Sequence, residues 1–495
     1  MFFLLVVKIA HRNLLVPLSR KRNLHRLLPV MVMLLLLSTS CKEDDLRTET
    51  VISGKIINPS AEYVALSNFG NVQDTVEVDE NGLFSFEYEN LESGFYLFSH
   101  PGEYQSIYIS QGDSIKIRLN TRAFDESMSF TASSAAENNF MLDAFISTEN
   151  ENRDYIKNFE KDPEVFYSFL NEATEAEVKR LKTIAKRKDF EQDFVEKALN
   201  SIKLNSYSRL ERYPALHYGK RNILEARKLP AKYTDHRKQV DLKDNSYYTL
   251  NSFRPYVNAL VSNIALNNLV KKSGSSADLS RRGYMYNSEK LRLIDSIFDS
   301  KEPKELFASN ITKNFIRDNR NRVEVKKLVD DFKKIVTNQE LIGSIEALAG
   351  RYEELEPGKK LSDLDLMDIY NEDISLTDRI DGLSVLFFWS DRFPDYAVRV
   401  HKKVKDLRVK YPEIDFIGIN TDNQNQESWK QISEKYRFDM NMEYMLENFD
   451  DAATYLELKG RNRTLIIEDD LTIVDPDVNL FHYRIETTLL GYLNR

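Results

Sequence analysis

The sequence predicts a multidomain α+β chain. It reads as an N-terminal antiparallel β-sandwich over 51–130, a central all-helical segment over 135–351 and a C-terminal α/β domain over 357–495. Three observations carry that reading. Short runs alternating at period two crowd the first segment, and apolar residues at helical spacing fill the second. The third holds an unbroken apolar strand, Leu383-Ser384-Val385-Leu386-Phe387-Phe388-Trp389, followed by an amphipathic helix. A continuous run of that kind belongs to a strand covered on both faces.

The chain has 495 residues, 42% hydrophobic and 30% charged, a mixture that builds ordinary cores. The formal charge is −9, from 69 Lys and Arg against 78 Asp and Glu. Residues 1–40 hold six of the bases and no acid, so the remainder stands at −15. A body that acidic lacks the cationic excess that phosphate binding needs, which argues against a nucleic-acid partner. There is one cysteine. Disulfides, thiolate zinc clusters and dithiol redox chemistry are thus excluded within this chain.

Residues 1–40 read as an export signal. A basic cluster, Arg20 to Arg26, precedes the apolar run Leu27–Leu37, then the small residues Ser38, Thr39 and Ser40, then Cys41. The run is about half as long as a membrane-spanning helix. Ser38-Thr39-Ser40-Cys41, with Leu37 one place further back than usual, resembles the lipobox of bacterial lipoproteins. That resemblance implies that Cys41 becomes an acylated first residue, followed by a tether over 41–50. Lys42-Glu43-Asp44-Asp45 resembles the surface-export signal of Bacteroidetes lipoproteins. It implies a lipid-anchored protein of the cell outer membrane, exposed on its surface.

In the first segment the strands are Gly54–Ile57, Thr75–Val78, Leu83–Tyr88, Gly94–Phe98, Ser106–Ile109 and Ile115–Leu119. Asp79-Glu80-Asn81-Gly82 is a hairpin signal between two of them. Six or seven strands at this spacing predict a small antiparallel sandwich. The run resembles the β domain that precedes thioredoxin-like domains in many Bacteroidetes lipoproteins. The helical segment predicts six to nine helices, with one stretch from Glu175 to Ala198, others at 256–270 and 291–298, and one from Val323 to Ala349. Its many tyrosines, among them Tyr207, Tyr213, Tyr218, Tyr247 and Tyr248, read as core packing.

From Leu383 the order is βαβαββα: the apolar strand, a helix over 395–410, a strand over 415–420, a helix over 429–436, a hairpin of 464–467 with 471–474, and a last helix over 485–493. "LFFWS", "YPEIDFIGINTD" and "GRNRTLIIEDDLTIVD" in this order resemble the TlpA/ResA-like branch of the thioredoxin superfamily. The resemblance implies a thioredoxin-like fold with a Cys-x-x-Cys pair at the start of the helix after the "FW" strand. Here Phe393 and Tyr396 stand in the two thiol positions, with Pro394 between them, and Asn462 stands where the family has a cis-proline. Thiol exchange needs both sulfurs. The chain is therefore expected to be no enzyme and to bind or scaffold a protein or peptide partner. The face implied by the resemblance comprises Trp389, Arg392, Phe393, Tyr396, Arg461 and Asn462.

Other chemistry finds little support. The histidines beyond the signal, His100, His217, His236, His401 and His482, show no i, i+3 or i+4 spacing, so no zinc pair is visible. His401 is expected to be exposed or half-buried. Asn420–Asn423 and Asp475-Pro476-Asp477 read as polar turns rather than cation loops. No phosphate loop or dinucleotide fingerprint is present, and no metal or cofactor is expected. Two rival readings remain open: a thiol–disulfide oxidoreductase by fold, and an accessory lipoprotein of a nutrient-uptake system.

Overall fold

The computed structural model describes residues 49–59, 61–68, 71–100, 103–219, 229–273, 280–391, 393–422, 426–458 and 463–494. Cys41, Lys42, Glu43, Asp44 and Asp45 lie outside the described residues. By contacts the chain divides into two units. The first takes residues up to 155 with 179–199 and 249–251, and the second takes 156–178, 200–248 and 252–495. The helical segment 135–351 is thus shared between them. No helix among the described residues is long and apolar enough to cross a membrane.

In the first unit, eight described strands form two four-stranded sheets. They are β1 (Thr50–Ile57), β2 (Tyr63–Asn68), β3 (Asn71–Glu77), β4 (Leu83–Tyr88), β5 (Gly94–His100), β6 (Glu103–Ile109), β7 (Ser114–Asn120) and β8 (Ser129–Ala132). The sheet orders are β4-β1-β7-β8 and β3-β2-β5-β6. Phe84 and Phe86 of β4 and Ile115, Ile117 and Leu119 of β7 alternate into one core, where they join Ile52, Leu66 and Phe98. The expected all-antiparallel pairing is corrected at the centre of one sheet, where β1 and β7 run parallel. Parallel neighbours need a long crossover, and the second sheet, built between them in sequence, supplies it. The turn at Asp79–Gly82 forms, with Gly82 at φ +78°. It is not a hairpin, because β3 pairs with β2 and β4 with β1. The sharp change of sheet brings Gly82 so close to Ile56 that a Cβ would lie 2.1 Å from its carbonyl oxygen.

A buried acidic group closes this unit. Glu137 accepts from the Glu191 backbone N–H (3.3 Å), and Asp113 accepts from the Ser110 N–H (2.8 Å). Burial pushes the carboxyls of Glu137 and Asp113 above the usual carboxylate range, and the Glu191 charge adds to it. A carboxyl raised in the folded state contributes stability only at low pH, and that contribution disappears as pH rises through its folded pKa. Glu137→Gln keeps the acceptor for Glu191 and removes the charge. It is expected to raise the melting temperature at neutral pH, with the gain closing as pH falls through the carboxylate range. Circular-dichroism melts across that range check it; a gain independent of pH would contradict the assignment.

Eight α-helices follow among the described residues, within the predicted six to nine. They are α1 (Ala135–Asn158), α2 (Pro163–Lys188), α3 (Gln192–His217), α4 (Phe253–Ser273), α5 (Tyr284–Ile297), α6 (Lys301–Asp318), α7 (Arg322–Ile335) and α8 (Gln339–Glu354). Two predicted stretches are each divided. Glu175–Ala198 breaks at Asp189, which adopts φ +55°. Val323–Ala349 breaks before Asn338, whose side chain caps α8 by accepting from Glu340 N (3.0 Å) and Leu341 N (3.2 Å). Asn at an N-cap satisfies amide groups that the first turn leaves free, so the polar residue starts a new helix. Tyr213 is fully buried and stacks on Phe166 with ring centroids 4.5 Å apart, as core packing requires.

The C-terminal sheet holds seven described strands in the order β10-β9-β13-β12-β11-β14-β15. These are β9 (Asp365–Met367), β10 (Asp373–Ser375), β11 (Ser384–Trp389), β12 (Asp415–Asn420), β13 (Glu443–Leu446), β14 (Thr464–Ile467) and β15 (Ile473–Asp475). Helices α9 (Pro394–Lys410), α10 (Gln426–Tyr436), α11 (Phe449–Tyr455) and α12 (Ile485–Leu493) complete the domain. β11, β12 and β13 pair in parallel, while β14 pairs antiparallel with both β11 and β15. The sheet is thus mixed, three parallel strands continued by an antiparallel pair. Every residue of β11 is buried: Leu386 and Phe388 face one core, and Val385, Phe387 and Trp389 face the other against Val400, Val404 and Leu407 of α9.

Candidate functional site

β11 ends at Trp389, and the chain turns directly into α9. Pro394 takes the first helical position, where its fixed φ suits the helix and its missing N–H costs nothing. Phe393 is the N-cap, and its carbonyl accepts from Tyr396 N and Ala397 N, each at 3.0 Å. Its side chain is 56% exposed. Tyr396 is half-buried, with its ring edge-on to Phe481 at 6.2 Å. Burial raises the Tyr396 hydroxyl above the ordinary phenol value. Phe481 and Tyr483, just before α12, are also exposed. The two positions matched to thiols therefore carry one exposed and one half-buried aromatic ring. Arg392, Arg461 and Asn462 lie outside the described residues.

Trp389 corrects the expected face. It is buried, and its Nε1 donates to Glu443 Oε2 at 2.9 Å. The cause is the double covering of β11, which leaves its last side chain in the core between the sheet and α9. His401 is partly buried, within the expected range. Its side chain is only 9% exposed and stacks on Phe438 with centroids 3.4 Å apart and planes 2° from parallel. Ala397, His401 and Val404 follow i, i+4, i+7 spacing, which sets His401 on the edge of the apolar stripe.

The His401 ring is held at both nitrogens. Nδ1 lies 2.6 Å from the Ala397 carbonyl oxygen and Nε2 lies 3.1 Å from Glu443 Oε1. The carbonyl only accepts, so Nδ1 carries a proton, and Nε2 shares a second one with the Glu443 carboxyl. Glu443 thus joins Trp389 of β11 to His401 of α9 from the first position of β13. Sequence reasoning missed Glu443, a lone carboxylate between Met442 and Tyr444 in a short apolar strand. Gly418, opposite it in register, makes the room: a Cβ there would lie 2.3 Å from Glu443 Oε2. Trp389 and Glu443 are buried and His401 lies at the edge, and together they fix the helix to the sheet.

The turn after β12 is tied to the end of β11. Thr421 N donates to the Trp389 carbonyl oxygen (2.9 Å), and Asp422 Oδ2 accepts from Asp391 N (2.7 Å). Among the described residues, no group of three or more His, Cys, Asp or Glu stands in metal-holding geometry.

A second buried charge lies in the helical part of the second unit, with no sequence motif to mark it. Glu211 of α3 accepts from His236 Nε2 (2.9 Å), Arg237 Nε (2.6 Å), Arg237 Nη2 (2.7 Å) and Asn263 Nδ2 (2.6 Å). Burial pushes this carboxyl up, but hydrogen bonds from His236, Arg237 and Asn263, with the Arg237 charge, hold it below the usual range.

No protein-family model and no curated protein matches this chain. Several solved structures are similar. The thioredoxin domain of a thiol-disulfide oxidoreductase from Bacteroides vulgatus is 18% identical, with 28% of this chain and 99% of that chain covered and a TM-score of 0.22. A thiol:disulfide interchange protein from Bacteroides sp. is 18% identical over 29% of this chain and 93% of that one, with a TM-score of 0.23. A thioredoxin-like protein from Bacteroides caccae is 11% identical, covering 58% of this chain and 93% of that chain, with a TM-score of 0.32.

Proposed function

We propose that the protein is a thioredoxin-fold lipoprotein without thiol chemistry, carried on the cell outer membrane by lipid on Cys41, and that the start of α9 holds a protein or peptide partner. The observation that carries the reading is the pair Phe393 and Tyr396. They put rings at the helix end where exchange chemistry needs two sulfurs, and the chain's one cysteine is Cys41. Aromatic side chains supply much of the binding energy at protein interfaces. The oxidoreductase reading would need a thiol from outside this chain.

Two experiments test it. The full chain in detergent, supplied with dithiothreitol, is expected to reduce insulin no faster than the reagent alone; a faster rate overturns the reading. A photo-crosslinking residue at Phe393 is expected to give a discrete adduct on whole cells. The same probe at Val409, also exposed and on the same helix, is expected to give none. No adduct at 393, or the same adduct at both, counts against the binding face. Anchoring is checked separately: a palmitate analogue is expected to label the protein and not Cys41→Ala.

A further inference from the structure

Between α3, α4 and the start of α5 lies a cavity of about 420 Å³. That is within the range of small-molecule sites, about 300–1,000 Å³. The facing helices keep it open with small side chains, Ser208 and Ala215 on α3 and Ala259 and Ser262 on α4. Leu216 and Leu266 supply apolar wall.

The charges on that wall are unequal. Glu211 faces the cavity, but its carboxylate is saturated by four donors and countered by Arg237. Arg212 and Arg281 also line it. The Arg281 Nη2 is closed off from solvent and has no hydrogen-bond acceptor. A buried guanidinium nitrogen without an acceptor is costly. A carboxylate entering the cavity, with the half-buried guanidinium turned toward it, would satisfy that nitrogen with the flat, two-oxygen geometry that matches a guanidinium fork. A polyphosphate would need more free donors than one arginine edge presents, and a cation would meet two arginines.

We infer that this cavity is a binding site for a small organic monocarboxylate with an apolar body, the carboxylate on Arg281 and the body against Leu216 and Leu266. The site is independent of the α9 face. Calorimetry on the full chain in detergent tests it with hydrocinnamate and hexanoate, each beside its alcohol. The acids are expected to bind at least about tenfold tighter than the alcohols, as one charge-assisted bond supplies. Arg281→Gln is expected to erase that preference, and Ala259→Leu to weaken acid and alcohol together by filling the space. Failure of both acids to bind at millimolar concentration overturns the site, as does equal binding of acid and alcohol. An intact preference in Arg281→Gln overturns the role of Arg281. Should that variant not fold, phenylglyoxal labelling of the wild type decides. Hydrocinnamate should slow modification of Arg281 and its alcohol should not; equal rates overturn the proposal.

Discussion

Glu443→Leu is expected to destabilise the protein by about 3–5 kcal/mol, the scale for removing one member of a buried charged pair. The residue is 1% exposed. Its loss strands two donors at once, Trp389 Nε1 and His401 Nε2, in a site that admits little water. Glu443→Gln is expected to cost far less, about 1 kcal/mol. Its amide oxygen still accepts from Trp389, and its amide nitrogen donates to Nε2 of a neutral His401 whose Nδ1 proton stays on the Ala397 carbonyl oxygen. The gap between Leu and Gln therefore reads the hydrogen bonds apart from side-chain volume. Urea unfolding followed by circular dichroism measures both. Equal losses would mean that packing, and not the triad, fixes α9 to the sheet.

What the sequence showed of this domain depended on how each element earns its burial. β11 was legible because six consecutive buried residues leave a run that only a doubly covered strand produces. The same run implies that Trp389 is core, whereas the resemblance to thioredoxin-like domains implies that it belongs to the binding face. β9 and β10, three residues each, are too short to show an alternation. β13 opens on Glu443, a charged residue whose reason for being inside is a glycine twenty-five positions earlier in the chain. In the sandwich, Asp79–Gly82 announced a turn, but turn chemistry is local and does not say which sheet receives the next strand. Phe393 and Tyr396 fell at the start of α9 as their spacing from the "FW" strand requires. The cavity beside α3 and α4 was invisible, because small residues at helical spacing look the same whether helices close over them or not.

At neutral pH, Glu211→Gln is expected to cost about 3–5 kcal/mol, since it breaks a buried charged network from one side. The side chain is fully buried. A glutamine keeps one acceptor oxygen and turns an amide toward groups that only donate, so Arg237 and Asn263 lose partners and the guanidinium loses its counter-charge. The pH dependence separates this from simple misfit. The folded carboxyl is held below its ordinary value of 4.5. A carboxyl depressed in the folded state contributes stability that is full above its unfolded pKa and is lost as pH falls toward the folded one. Wild type should therefore lose stability on acidification through and below that value, while Glu211→Gln lacks this component of the loss. The difference between the two should shrink as pH falls. Urea titrations at a series of pH values measure it. A difference that stays constant through the carboxylate range would mean that the charge of Glu211 contributes nothing and that the variant fails on shape alone.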